Sequence, residues 1–339
     1  MKNPLLCLLF LFLIASCKKG ELVEQDLNEV DPEIGDVLRI ALKNYFVVSI
    51  AFEKSGTAWL GTLNQGLIKY DGQTTTVFDS SNSIIKNAPI WDIEIDKAGN
   101  IWIGSEALFR YNGSNFTRYD SKLYNLPANA VRTIAIDSKD NIWFSGSSFK
   151  SGGLIKYDGK NFTSYTPENS KIPGSLIQSI AIDQKDNVWL AVNDGLSNVS
   201  LARFSGTQWD VHGSSEIGFQ PYYFGNIAVN KNNDLIVAID YGLSSLMVPG
   251  RPAIFKYNGS KSEILSLPDE KSIMYYTHQT FVDSNNQLWA SFFGKDECGV
   301  FRNGKWILKN FKTDGIFAFG EKPNGEIWLG TGNGVYILK

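Results

Sequence analysis

Two histidines, His212 and His278, and three cysteines, Cys7, Cys17 and Cys298, are the whole supply of imidazole and thiol in 339 residues. A histidine metal site or a histidine general base needs acids or further ligands at short spacing. Neither histidine has such a cluster around it, so no catalytic residue, no metal and no cofactor is assigned. Residues that could still do chemistry lie in the least repetitive stretches: Trp91, Glu106, Asp194, Tyr222, Tyr223, Tyr241, Tyr275, Tyr276, His278 and Phe293. Aromatic faces stack on apolar patches while loop amides orient hydroxyls, a chemistry that suits a small glycan or peptide ligand. The same face could instead seat a membrane-protein partner. Net charge is −3, which leaves no basic field for nucleic acid.

Cys17 carries a different chemistry. An apolar run from Leu5 to Ile14 follows Lys2 and ends in Ile14-Ala15-Ser16-Cys17. The run is too short for a permanent span but suits a signal-peptide core. Its ending resembles a bacterial lipobox, in which the cysteine thiol accepts a diacylglycerol after cleavage. That predicts a signal peptide over 1–16, a polar tether over 17–35, and attachment to the membrane through the lipid alone. Lys18 after the cysteine points to the outer membrane of a bacterial envelope, with the leaflet open. Cys7 leaves with the signal, and Cys298 is read as a small core hydrophobe.

The elements that must position these residues come from a repeat. Seven segments align on one hairpin: Ile50 to Trp59, Ile93 to Trp102, Ile134 to Trp143, Ile180 to Trp189, Ile227 to Ile236, Phe281 to Trp289 and Phe317 to Trp328. The anchors lie 43, 41, 46, 47, 53 and 39 residues apart, the period of a propeller blade. Three positions before each anchor stand Gly56, Gly99, Asp140, Asp186, Asn233, Asn286 and Gly325, residues that tolerate the left-handed backbone of a tight turn. An acid often opens that turn, as at Asp96, Asp137, Asp183 and Asp283, where it can accept turn N–H groups. A second turn follows, Asp71-Gly72, Asn112-Gly113, Asp158-Gly159, Ser205-Gly206, Asn258-Gly259 and Asn303-Gly304, read as two-residue type I′ hairpins.

Each unit is then four antiparallel strands, and a four-stranded sheet must stack on neighbours to bury both faces. The expected architecture is all-β: a seven-bladed β-propeller over 36–339, with Trp residues packed between blades. The seventh unit lacks an outer strand, and the alternating stretch Asp36 to Leu42 is the donor expected to close it. The ring is expected to be a monomer.

Segments such as Gly99-Asn100-Ile101-Trp102-Ile103-Gly104, Ile327-Trp328-Leu329-Gly330-Thr331 and Gly153-Leu154-Ile155-Lys156-Tyr157-Asp158-Gly159 resemble the two-component-regulator propeller repeat. That resemblance implies an extracytoplasmic ligand-sensing ring like those of hybrid sensor kinases, though no kinase follows here. The motifs are also similar to those of streptogramin lyases, propeller enzymes that use a catalytic histidine and a divalent metal. The main expectation is therefore a lipid-anchored binding or sensory propeller. A lyase-like enzyme and a protein scaffold are the alternatives. Tyr222, Tyr223, Tyr275 and Tyr276 precede inner strands, with Trp91 facing them across the mouth of the central channel.

Overall fold

The computed structural model describes residues 37–127, 130–146, 152–193, 199–219, 223–240, 254–265, 276–293 and 297–338. The segments before Val37, with the expected signal peptide, Cys17 and tether, lie outside them. Seven antiparallel sheets of four strands each form the ring, and among the described residues helix is confined to two single turns, Ser121–Tyr124 and Ser214–Ile217. The inner strands are Val47–Phe52, Asp92–Ile95, Val131–Ile136, Leu176–Ile182, Tyr223–Val229, Tyr276–Val282 and Ile316–Glu321. The seventh sheet takes its outer strand from Val37–Ala41, which pairs antiparallel with Gly334–Leu338. This closes the edge that the short C-terminal unit would otherwise expose.

Burial explains the sequence pattern. The second strand of a blade has a covered sheet face on both sides, so Ala58–Thr62, Ile101–Gly104, Ile142–Gly146 and Ile327–Thr331 are buried at every position. Outer strands such as Thr75–Phe78 are half-buried or exposed. Each anchor Trp packs in a cluster shared with a neighbouring blade, as Trp59 does with Ile93, Ile101 and Phe109. Glycine after the anchor has a steric cause: a Cβ on Gly61 would lie 2.6 Å from the Ile90 carbonyl oxygen of the next blade.

Strand pairing corrects two alignments. Phe281 lies opposite Trp289, as Ala51 lies opposite Trp59, and Gly320 lies opposite Trp328. The equivalents of Ile50 are therefore Thr280 and Phe319, not Phe281 and Phe317; aromatic identity had drawn the alignment off register. All seven residues three before the anchors do adopt positive φ, from 60° at Asp140 and Asp186 to 88° at Gly56.

The second turn also differs from expectation. In five of the six, the residue before glycine pairs with the residue three further on, as Asp71 N–H does with the Thr74 carbonyl. Glycine is then the first of two central residues and alone has positive φ, 102° at Gly72, which is the type II′ pattern. The Asp71 carboxylate accepts the Gln73 and Thr74 N–H groups. Only Asn303-Gly304, with both φ positive and Arg302 paired to Lys305, has the type I′ pattern.

The turn faces are laced together. The Asp140, Asp186, Asn233 and Asn286 side chains accept the N–H groups of Lys97, Ser138, Gln184 and Lys231 from the preceding blade, and Glu321 accepts that of Ser284. Asp and Asn at these turns thus do what glycine cannot.

Candidate functional site

Inner strands in this ring carry an irregularity at one fixed place. Register shifts between Val47 and Ser49, Val131 and Ile134, Ile177 and Ser179, Phe224 and Ile227, Thr277 and Gln279, and Ile316 and Ala318. In four blades the backbone N–H freed beside this place is accepted by a side chain of the preceding blade. Asp92 accepts from Ile134, Thr133 from Ile180, Ser179 from Ile227, and Asn226 from Thr280. The irregular backbone is therefore satisfied and fixed.

A bulge re-aims the residue it contains. Those residues are Val48, Arg132, Gln178, Gly225, His278 and Phe317, with Trp91 in the same place just before its strand; each stands eleven residues before its blade's anchor. Val48, Arg132 and Gln178 are more exposed than the buried residues on either side of them. On an innermost strand, the exposed side is the central channel. Among the described residues, Val48, Trp91, Arg132 and Gln178 thus bring unlike side chains to the channel mouth on the loop side.

Contacts at this ring are specific. The Arg132 guanidinium lies over the Trp91 ring, 5.1 Å from its centroid, while Trp91 stays 37% exposed. The Tyr223 hydroxyl donates to Gln178 Oε1 at 3.0 Å. Phe317 meets Phe46 with ring centroids 4.6 Å apart. Asp92 and Glu94 follow Trp91 on the same strand. Burial pushes the Asp92 carboxyl up to about 6, against the Ile134 and Ile93 N–H groups that hold it down. Burial and the neighbouring Asp92 push Glu94 up to about 8.

Of the residues chosen from sequence, Trp91 and Tyr223 are brought to this mouth, three blades apart. Tyr223 and Tyr276 begin their inner strands rather than preceding them. His278 occupies a bulge position, and Tyr276 pairs with Phe293 across the first hairpin of the sixth blade. Asp194, Tyr222, Tyr241 and Tyr275 lie outside the described residues, as do most of the long loops around them. Glu106 is engaged elsewhere: its carboxylate binds Arg118 at 2.6 Å and Lys86 at 3.0 Å. Burial would raise it, but these two cations hold it below its usual value. Arg132, Gln178, Phe46 and Phe317 were missed; the one trace of the first two in the sequence is that unlike residues stand eleven before each anchor.

His212 is a packing residue in this geometry. Its ring stacks on Trp189, and Nδ1 lies 3.1 Å from the Tyr257 hydroxyl. Burial, with Arg203 nearby, lowers its pKa. Cys298 is fully buried among Trp289, Val300 and Leu329, and burial pushes its thiol up. A groove of about 660 Å³ runs along the outer rim of the third and fourth blades, lined by Tyr165, Lys171, Phe204 and Trp209 among others, away from the channel. Among the described residues there is no group of three metal-ligating side chains, and no helix is long and apolar enough to cross a membrane.

Fold and site together define a seven-bladed propeller with a heterogeneous channel mouth. The family model described as the two-component regulator propeller matches residues 84–107 and 125–148. Among curated proteins none matches the sequence. The structure is similar to the extracellular domain of BT4673, described as a hybrid two-component system of B. thetaiotaomicron, at TM-score 0.66 and 17% identity over 90% of this chain. This chain spans 40% of that one. It is also similar to virginiamycin B lyase from Staphylococcus aureus, at TM-score 0.68 and 14% identity, covering 89% of this chain and 98% of that one. A YCF48 structure bound to D1 peptide matches at TM-score 0.66 and 13% identity, over 91% and 96%. At these identities the likeness establishes the fold.

Proposed function

We propose that this chain is a lipid-anchored extracytoplasmic propeller that binds a small ligand at the loop-side mouth of its central channel and serves as a sensory or binding module. The observation that carries this reading is the ring of bulge residues. In four blades the adjoining backbone is held by the preceding blade, so side chains such as Arg132 and Gln178 are free to differ, and they do. The two-component regulator repeats and the likeness to an extracellular domain of a hybrid system support sensing outside the cytoplasm. The lyase likeness gains nothing from His212, whose imidazole is stacked on Trp189 and bonded to Tyr257.

The test begins with a thermal-shift screen of the full chain against oligosaccharides and peptides. A hit should lose affinity by about 1–3 kcal/mol in Trp91→Ala and in Tyr223→Ala, the range for a buried aromatic contact. Unchanged affinity in both variants would move the site elsewhere. Anchoring is tested separately: Cys17→Ser should abolish incorporation of labelled palmitate, and retained label refutes it.

A further inference from the structure

The ring at the channel mouth is two-sided. Passing through the first and second blades, it presents Phe46, which rests on the buried Phe317, then Val48, then Trp91. The third, fourth and fifth blades present Arg132 and the Gln178–Tyr223 pair. Apolar and polar arcs meet where the Arg132 guanidinium lies on Trp91.

Arg132 is exposed and has no carboxylate partner among the described residues. The acid nearest in the chain of contacts is already used. Asp92 Oδ2 accepts the Ile134 N–H at 2.7 Å, and Oδ1 accepts the Ile93 N–H at 2.9 Å. Gln178 gives its oxygen to Tyr223, which leaves its amide N–H groups without a partner among the described residues. The polar arc therefore offers a guanidinium and amide donors, but few acceptors. A guanidinium fork matches the two oxygens of a carboxylate. One uncompensated cation matches one negative charge. A second negative charge would stand against the Asp92 carboxylate on the adjoining strand, which disfavours a doubly charged phosphate.

We propose that the channel mouth binds a monoanionic carboxylate on an apolar body, with Arg132 holding the carboxylate and the Trp91, Val48 and Phe46 arc covering the body. This rests on the mouth being the ligand site. The acid is either free or the C-terminal residue of a peptide, since the recognised chemistry is the same.

Titration calorimetry of the full chain tests it with 3-phenylpropionate, its neutral amide, inorganic phosphate, and the peptide Gly-Gly-Phe. The carboxylate should bind, the amide should bind at least about tenfold more weakly, and Arg132→Met should lose the carboxylate by a similar factor. Arg132→Met should keep the wild-type unfolding midpoint, because the side chain is exposed. Tighter binding of Gly-Gly-Phe than of 3-phenylpropionate assigns the acid to a peptide end, and the reverse assigns it to a free acid. Equal binding of amide and acid, preference for phosphate, or full affinity in Arg132→Met overturns the inference. No carboxylate binding, with a neutral saccharide that weakens in Trp91→Ala, overturns the ligand class and leaves the mouth as the site. A ligand that binds equally well to Trp91→Ala, Tyr223→Ala and Arg132→Met overturns the site itself.

Discussion

Asp137→Asn should be far more costly than its near-isosteric change suggests, and the cost should depend on Trp143. Asp137 is buried and accepts four hydrogen bonds. One oxygen takes the Lys139 and Asn141 N–H groups at 3.0 and 2.9 Å, and the other takes Asn141 Nδ2 and Trp143 Nε1 at 2.7 and 2.9 Å. Asparagine keeps the first oxygen and turns the second into a donor facing two donors. Asn141 is half-buried and can turn to water, but the Trp143 indole is buried. Leaving a buried donor unmet costs about 1–3 kcal/mol, so the substitution should cost about 2–3 kcal/mol. The fifth blade holds the native control. There Asn230 opens the turn, Ile236 replaces the Trp, and Asn230 Oδ1 still accepts the Asn232 and Asp234 N–H groups. With Trp143→Ile, Asp137→Asn should therefore cost about 1 kcal/mol or less, a coupling of about 1–2 kcal/mol. Urea midpoints of the four proteins, at constant slope, give the cycle. A second arm uses pH. Burial raises Asp137, but the Trp143, Asn141 and Lys139 donors outweigh it and hold the carboxyl below its usual value. A depressed folded pKa gives stability that is present above the unfolded value, near about 4, and is lost as pH falls through the folded one. Asp137→Asn should flatten that acid limb. An equal cost in both backgrounds would show that the indole bond contributes nothing and refute the argument.

Three further outcomes follow from the same geometry. Asn233→Gly keeps the positive φ but deletes the acceptor of the Gln184 N–H, so its urea midpoint should fall by about 0.5–1 kcal/mol; an unchanged or higher midpoint refutes the inter-blade role. Glu94 and Asp92 have folded pKa values raised above their unfolded ones, so stability should decline as pH rises from about 4 toward 8, and Glu94→Gln should remove most of the decline between pH 5 and 8. An unaltered decline in Glu94→Gln would place the cause elsewhere. Ile40→Pro, in the strand that closes the seventh blade opposite Tyr336, should lower the melting temperature and promote aggregation, measured by light scattering; a monodisperse protein of wild-type midpoint would show that closure is dispensable.

The fold was legible because its signals are local. A residue with positive φ three before each anchor is demanded by turn geometry alone, and Gly, Asn or Asp stand at all seven places. Turn type was less legible: Asp-Gly composition is the same whether Asp precedes the loop or sits within it, and only pairing decides. The carboxylate six before the Trp read as a turn residue, although its second oxygen serves the indole. The joint loss of acid and Trp at Asn230 and Ile236 was the clue. Arg132 and Gln178 went unread because Val131-Arg132-Thr133 and Ile177-Gln178-Ser179 look like ordinary alternating strand. A bulge shifts which of those side chains meets the channel, and alternation carries no mark of it.

The columns of the repeat divide by what constrains them. At the anchor, three before it and six before it, a substitution breaks packing, a turn or an indole bond, so the same residue types recur. Ten before it stand Ser49, Asp92, Thr133, Ser179, Asn226, Gln279 and Ala318, mostly short polar groups, four of which accept the next blade's freed N–H. That column fixes the bulge. Eleven before the anchor, at Arg132 and Gln178, packing does not specify the side chain, because the adjoining backbone is held from the neighbouring blade and the side chain is more exposed than its neighbours. Unlike residues there cost the fold little. A position that is rigid in backbone, exposed in side chain and unconstrained by packing is where recognition can change without unfolding the ring. Stability and specificity then separate by one residue along the chain. Alanine at Thr133 should lower the urea midpoint and leave ligand affinity nearly unchanged, whereas Arg132→Met should do the opposite. Parallel effects of the two on stability would refute that separation.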